Sequence, residues 1–211
     1  MLVRSIRHRL GTKKHRGLVF NLRMQRIAST RATIYLLSRV CRPTLPMMSF
    51  TKRTYKSFGE FLDDFTFPIR NRRRLREVRQ KGLVSPALQE RLMMAVTAVN
   101  GCRYCSYFHA REALKTGIEP EEIRHLLAGS IAYCPDDEAV AVMYAQHWAE
   151  SNAHPDSEAV ERLRQTYGTE KADAIHLMLR LIRMGNLMGN TWDYFLHRIS
   201  FGKWGGMART A

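Results

Sequence analysis

Acidic residues are missing from the first 59 positions of this 211-residue chain, which hold fourteen of its 34 lysines and arginines. The other twenty basic residues share residues 60–211 with all nineteen acidic ones, a net of +1. The formal charge of +15 therefore belongs to the front of the chain, and the body is nearly neutral, which weakens a nucleic-acid reading of the whole protein. Long apolar runs are missing too. Arginines break the longest candidates, near Ile34 to Val40 and Leu177 to Leu187, so no stretch of about eighteen apolar residues offers a membrane span. Cysteines number four (Cys41, Cys102, Cys105 and Cys134), too few and too unevenly placed for the disulfide framework of a small secreted protein. No apolar-centred signal peptide opens the chain. The expectation is a soluble protein of the reducing cytoplasm.

Residues 1–47 are rich in arginine and lysine and show neither a sustained apolar period nor helix start and stop signals. Three readings remain for this basic extension: an arm for nucleic acid or another anionic surface, an Arg-rich and acid-poor targeting segment, or translated sequence upstream of a true start at Met47 or Met48. The abrupt change of composition beside those two methionines favours the last, with the extension carrying no folded structure. Residues 48–211 then form a single helical domain. Strand-like alternation is almost absent there, and helical signals follow one another, which makes the fold all-α.

Ser57 to Phe65 is short and amphipathic, and Pro68 is expected to break it. Arg70 to Lys81 reads as a solvated or interface-facing basic helix surface. Ser85-Pro86 supplies an N-cap followed by proline at the first helical position, and Leu88, Leu92, Met93, Val96 and Val99 carry an apolar stripe to Asn100-Gly101. A helix starting at Cys102 runs to Gly117. Glu119-Pro120-Glu121-Glu122 opens another, expected to reach about Tyr133; Pro135 opens one to about Ser151; and Pro155 opens one ending at Tyr167-Gly168. The last long helix runs from near Thr169 through Leu187, followed by an aromatic segment, Asn190 to Leu196.

Asn100 to His109 carries the chemistry. Cys102 and Cys105 lie three apart with His109 four further on, so a helix brings all three to one face. A Cys-x-x-Cys pair serves metal binding or redox exchange. Structural zinc asks for a second ligand pair, and Cys134 and His125 each stand alone, so no metal site is assigned. Redox exchange asks for a thiolate and a second sulfur, and Cys102 at a helix start meets the dipole that lowers a thiol pKa. His109 can take a proton from the nearer thiol. Glu90 reaches the imidazole if the two helices fold back through Asn100-Gly101. Cys41 and Cys134 are taken as structural.

Glu90 through His109, with the glutamate twelve residues before Cys-x-x-Cys, Asn-Gly just ahead of the first cysteine and histidine four after the second, resembles the signature of the carboxymuconolactone decarboxylase superfamily. More narrowly it is similar to the alkylhydroperoxidase D branch. The resemblance is close over about Gly82 to Leu127 and looser to about Ile199. It implies a helical bundle assembling as a homo-oligomer, a trimer or hexamer, that reduces a hydroperoxide with electrons from a dithiol or protein donor and uses no cofactor. By position, Cys105 would attack the peroxide to form a sulfenic acid, Cys102 would close the disulfide, and His109 with Glu90 would relay the proton. Tyr104 stands where the best-known member has a second histidine. The superfamily's decarboxylases act on a lactone acid and typically lack the cysteine pair. A non-enzymatic alternative remains, a redox-sensing or structural oligomer of the same superfamily.

Overall fold

A computed structural model describes residues 50–206, so the expectations for the basic extension and Cys41 lie outside the described residues. Among the described residues there are seven helices and no strand: α1 (Phe58–Arg70), α2 (Arg72–Gln80), α3 (Pro86–Asn100), α4 (Arg103–Lys115), α5 (Pro120–Leu127), α6 (Asp136–Glu150) and α7 (Ser157–Ile199). The described residues are all-α, as expected. No helix among them is long and apolar enough to cross a membrane.

The bundle is built around α3. Residues 90–97 of that helix are all buried, which no helix with a solvated face can achieve, and α3 accordingly packs against α4, α5, α6 and α7. Leu88, Leu92, Met94 and Val96 meet Leu126, Val142, Ile175 and Leu179 in the core. Each such side chain contributes about 2 kcal/mol by leaving water. Ser85 starts α3 as expected, its Oγ accepting the Leu88 N–H at 3.0 Å.

Three boundaries differ from expectation. Pro68 lies inside α1, which runs two residues past it to Arg70 before Asn71 turns the chain. Proline removes one helical N–H, and so close to the C-terminus that loss does not break the helix. α5 stops at Leu127 instead of Tyr133, because Gly129 takes a φ of 81° and the Ser130 N–H turns back to the His125 carbonyl at 2.8 Å. The aromatic segment Asn190–Leu196 is the end of α7; the break expected at Gly168, by contrast, is present, since that residue is non-helical at φ 76° and ψ 159° and two helical segments meet there within α7.

Residues 50–57 form an extended strap along α7. The Tyr55 N–H bonds Thr191 Oγ1 at 3.2 Å, the Arg53 carbonyl accepts from Asn190 Nδ2 at 3.0 Å, and the Phe50 ring packs on Tyr194 and His197. Arg53 also donates to the Ala149 and Glu150 carbonyls at the end of α6, where a cation meets the negative pole of the helix.

Candidate functional site

Gly101 separates α3 from α4 in the left-handed conformation, φ 67° and ψ 30°, which a residue with a side chain adopts only at a cost. That reversal brings the end of α3 against the start of α4. Cys102 is the N-cap of α4, one position before the helix proper, and its Sγ accepts the Cys105 N–H at 3.4 Å. The two free sulfurs are in contact at 2.8 Å. Closing them to a disulfide near 2.05 Å asks for a shift of under about 1 Å.

His109 and Glu90 also meet, with Nδ1 and Oε2 2.7 Å apart across the α3–α4 contact. A proton on Nδ1 donated to the carboxylate leaves Nε2 as the free acceptor nitrogen. Cys105 and His109 line a cleft of about 370 Å³ with Met93, Tyr104, Phe108, Leu181, Ile182 and Gly185. The four residues singled out in the sequence therefore stand as two contacting pairs. One sulfur faces the cleft, whereas Cys102 is wholly buried.

The sulfurs differ in charge as well as access. The Cys102 thiol is pulled from 9.0 to about 7, first by its contact with the Cys105 thiol, then by the backbone N–H groups of Cys105 and Tyr104 and by the Lys52 ammonium, all against the effect of burial. Cys105 is pushed up, first by that same sulfur contact, then by burial and by the Cys102 charge, with the Asn186 side chain acting the other way. The dithiol thus gives up one proton readily and holds the second. Cys134, half-buried beside Arg91, Glu122 and Glu138, is raised to about 11, first by burial, which suits an inert thiol.

Sequence reasoning missed the contribution of α7. Gly189 lies so close to the site that a Cβ there would stand 2.7 Å from Cys102 Sγ and 3.2 Å from the Tyr104 ring. One turn earlier, Gly185 faces Cys105 Sγ at 3.9 Å by the same measure. Asn186, Asn190 and Asp193 follow on the buried side of this helix. Asn186 Oδ1 accepts from Asn100 Nδ2 at 3.1 Å while its Nδ2 donates to Thr97 Oγ1 at 3.0 Å, and Asn190 Nδ2 donates to the Asn100 carbonyl at 2.8 Å. These bonds hold the Asn-Gly turn onto α7. Asp193 collects three donors: Tyr104 Oη at 2.9 Å and Arg103 Nη2 at 2.8 Å on one oxygen, and Lys52 Nζ at 3.0 Å on the other. Tyr104 is thereby tied to α7. The available signals were two glycines four apart in an apolar helix, where each costs about 1 kcal/mol against alanine, and polar residues repeating at helical spacing.

Among the described residues, no three His, Cys, Asp or Glu side chains stand together as a metal-holding group. No curated protein and no solved structure matches the chain. A family model does match residues 69–147, a span that includes Glu90, both cysteines and His109 and stops short of α7. That model describes the carboxymuconolactone decarboxylase family, to which residues 69–147 are similar, and the described residues around that span form an all-helical bundle.

Proposed function

We propose that this protein is a thiol-dependent peroxidase, an oxidoreductase of the alkylhydroperoxidase D type that reduces hydroperoxides through Cys102 and Cys105. The observation that carries this reading is one contact set: paired sulfurs at the end of an apolar cleft that His109, itself held by Glu90, also lines. Family likeness alone is equally compatible with a redox-sensing oligomer that turns nothing over. The cleft favours catalysis, because a sensor has no use for an acceptor nitrogen in the same cleft as the accessible sulfur.

Cys105 gives its proton to His109 Nε2, and the thiolate attacks the outer oxygen of ROOH. The O–O bond breaks, Cys105 becomes a sulfenic acid, and the alkoxide takes the proton back to leave as ROH. Glu90 stabilises the imidazolium in between. Cys102 then attacks the sulfenic sulfur, forming the disulfide and releasing hydroxide, which is protonated to water. A dithiol or protein donor returns two electrons and two protons. Met93, Phe108, Leu181 and Ile182 along the cleft suit an organic hydroperoxide with an apolar tail.

A homo-oligomer, trimer or hexamer, fits the exposed stripe Met188, Trp192, Phe195 and Ile199 on α7, spaced as one helix face. A cytoplasmic location fits a protein that works as a free dithiol. Thiols counted before and after one equivalent of cumene hydroperoxide test the reading. Two thiols lost per chain, with none lost in Cys105→Ser, supports it; no loss in the natural protein refutes it.

A further inference from the structure

We propose that Lys52 is a positioning residue for the second half of the reaction: held on Asp193, it keeps Cys102 as the thiolate that resolves the Cys105 sulfenic acid. This rests on the peroxidase reading and assigns to one cation outside the family-matched span a separate step of it.

Lys52 belongs to the strap, and its side chain is almost wholly buried at 6 % exposure, where a lysine needs a compelling partner. That partner is the fully buried Asp193. The Lys52 Cγ passes beside Gly101, the residue preceding Cys102, 3.9 Å from where a Cβ would stand, and its ammonium sits on Asp193, one helical turn beyond Gly189, where a Cβ would stand 2.7 Å from Cys102 Sγ. Facing Cys102 are the Cys105 and Tyr104 N–H groups of its own helix and Lys52 from the strap, with Asp193 and Arg103 beyond. To the hydrogen bonds that favour the Cys102 thiolate, Lys52 adds a full positive charge.

The location decides which step it serves. Cys102 is shut away from the cleft, so its thiolate does not meet peroxide, and peroxide reaches the half-buried Cys105. What Cys102 can reach is the sulfur already in contact with it. Resolution by a thiolate is direct: the Cys102 lone pair forms the S–S bond, the S–O bond of the sulfenic acid breaks, and hydroxide departs to take a proton from solvent, the His109 imidazole having already returned its proton to the alkoxide. Without the cation a smaller share of Cys102 is ionised near neutral pH, and its greater intrinsic nucleophilicity offsets only part of that loss.

Lys52→Met keeps the stem and removes the charge, while Arg103 and Tyr104 continue to hold Asp193 Oδ1. After one equivalent of cumene hydroperoxide, disulfide closure followed by quenched thiol counting should slow by about fivefold in Lys52→Met, with more Cys105 sulfenic acid trapped by dimedone. The ultraviolet absorbance of the thiolate should titrate at a higher pH. Lys52→Arg should restore both to within about twofold of the natural protein, and Lys115→Met, a surface lysine on α4, should alter neither. Circular dichroism establishes that each variant is folded. Closure at the natural rate in folded Lys52→Met overturns the proposal, as does a slowing confined to sulfenic acid formation. If the natural protein yields neither sulfenic acid nor disulfide, the peroxidase reading itself fails and takes this one with it.

Discussion

Glu90 and Arg91 are neighbours on the buried helix α3, yet they enter two polar clusters of opposite character. Arg91 is saturated. Its guanidinium meets both oxygens of Glu122, at 2.5 and 3.1 Å, and one oxygen of Glu138 at 2.8 Å, tying α3 to α5 and α6. Glu90 has the His109 imidazole, whose other nitrogen is left to a cleft. Even the nearby thiols differ: Cys134 is raised, first by burial, with Arg91 opposing and Glu122 and Glu138 adding to it, while the Cys102 thiol is lowered. Buried charge that closes on itself joins helices. Buried charge that leaves a nitrogen to a cleft shared with an accessible sulfur is what the proposed proton transfer would need.

Removing the reacting sulfur should separate the two clusters most strongly. Cys105→Ser is expected to abolish peroxide turnover measured with a dithiol reductant, whereas Cys134→Ser leaves turnover within about twofold, because a thiol held largely protonated supplies no nucleophile. The adjacent pair on α3 gives the next contrast, with the effects falling on different observables. Arg91→Met strands two carboxylates in the interior and should cost about 3 kcal/mol in a urea titration. Glu90→Gln keeps the shape and a hydrogen-bond acceptor, so its stability should stay within about 1 kcal/mol, while the lost support for the imidazolium lowers turnover by about a hundredfold. A large stability loss in Glu90→Gln with turnover preserved would place both residues in one structural role.

The local half of this site could be read from the chain, and the distant half could not. Glu90, Cys102, Cys105 and His109 sit within twenty residues on two successive helices, where spacing alone sets which side chains share a face. Ser85-Pro86 and Glu119-Pro120 marked helix starts for an equally local reason, the fixed φ of proline. Asn186, Asn190 and Asp193 make their bonds to residues far back in the chain, and sequence carries no marker of which helix face a distant turn will dock against. Lys52 was hidden for another reason: one basic residue among fourteen at the front of the chain looks solvated until its buried partner is seen. Gly129 was a visible stop signal within the stretch assigned to α5, passed over because the helical composition continues around it.

The two α7 glycines offer a finer contrast. Gly189→Ala puts a methyl 2.7 Å from Cys102 Sγ, closer than real contacts allow, so the sulfur must move and the dithiol opens. Turnover should fall by about tenfold, in keeping with how steeply rates depend on reacting distances. Gly185→Ala meets Cys105 Sγ at 3.9 Å, an ordinary contact, and should instead gain about 0.5–1 kcal/mol of stability from helix propensity with turnover nearly unchanged.

The smallest effect is a dependence of stability on pH that the dithiol should show and the Arg91 cluster should not. The Cys102 thiol ionises near 7 in the folded chain and near 9.0 in the unfolded one, so between these values the unfolded state holds the extra proton and stability rises with pH. Above about pH 9 both thiols of the unfolded chain ionise while Cys105, pushed up in the fold, keeps its proton. The sign then reverses and stability falls. Urea midpoints of the reduced protein across this range should pass through a maximum near pH 9 relative to the disulfide form, which has no proton to exchange at either sulfur. A reduced protein whose midpoints track those of the disulfide form throughout would mean that the two thiols titrate in the fold as they do in the unfolded chain, and the unequal pair would lose its electrostatic basis.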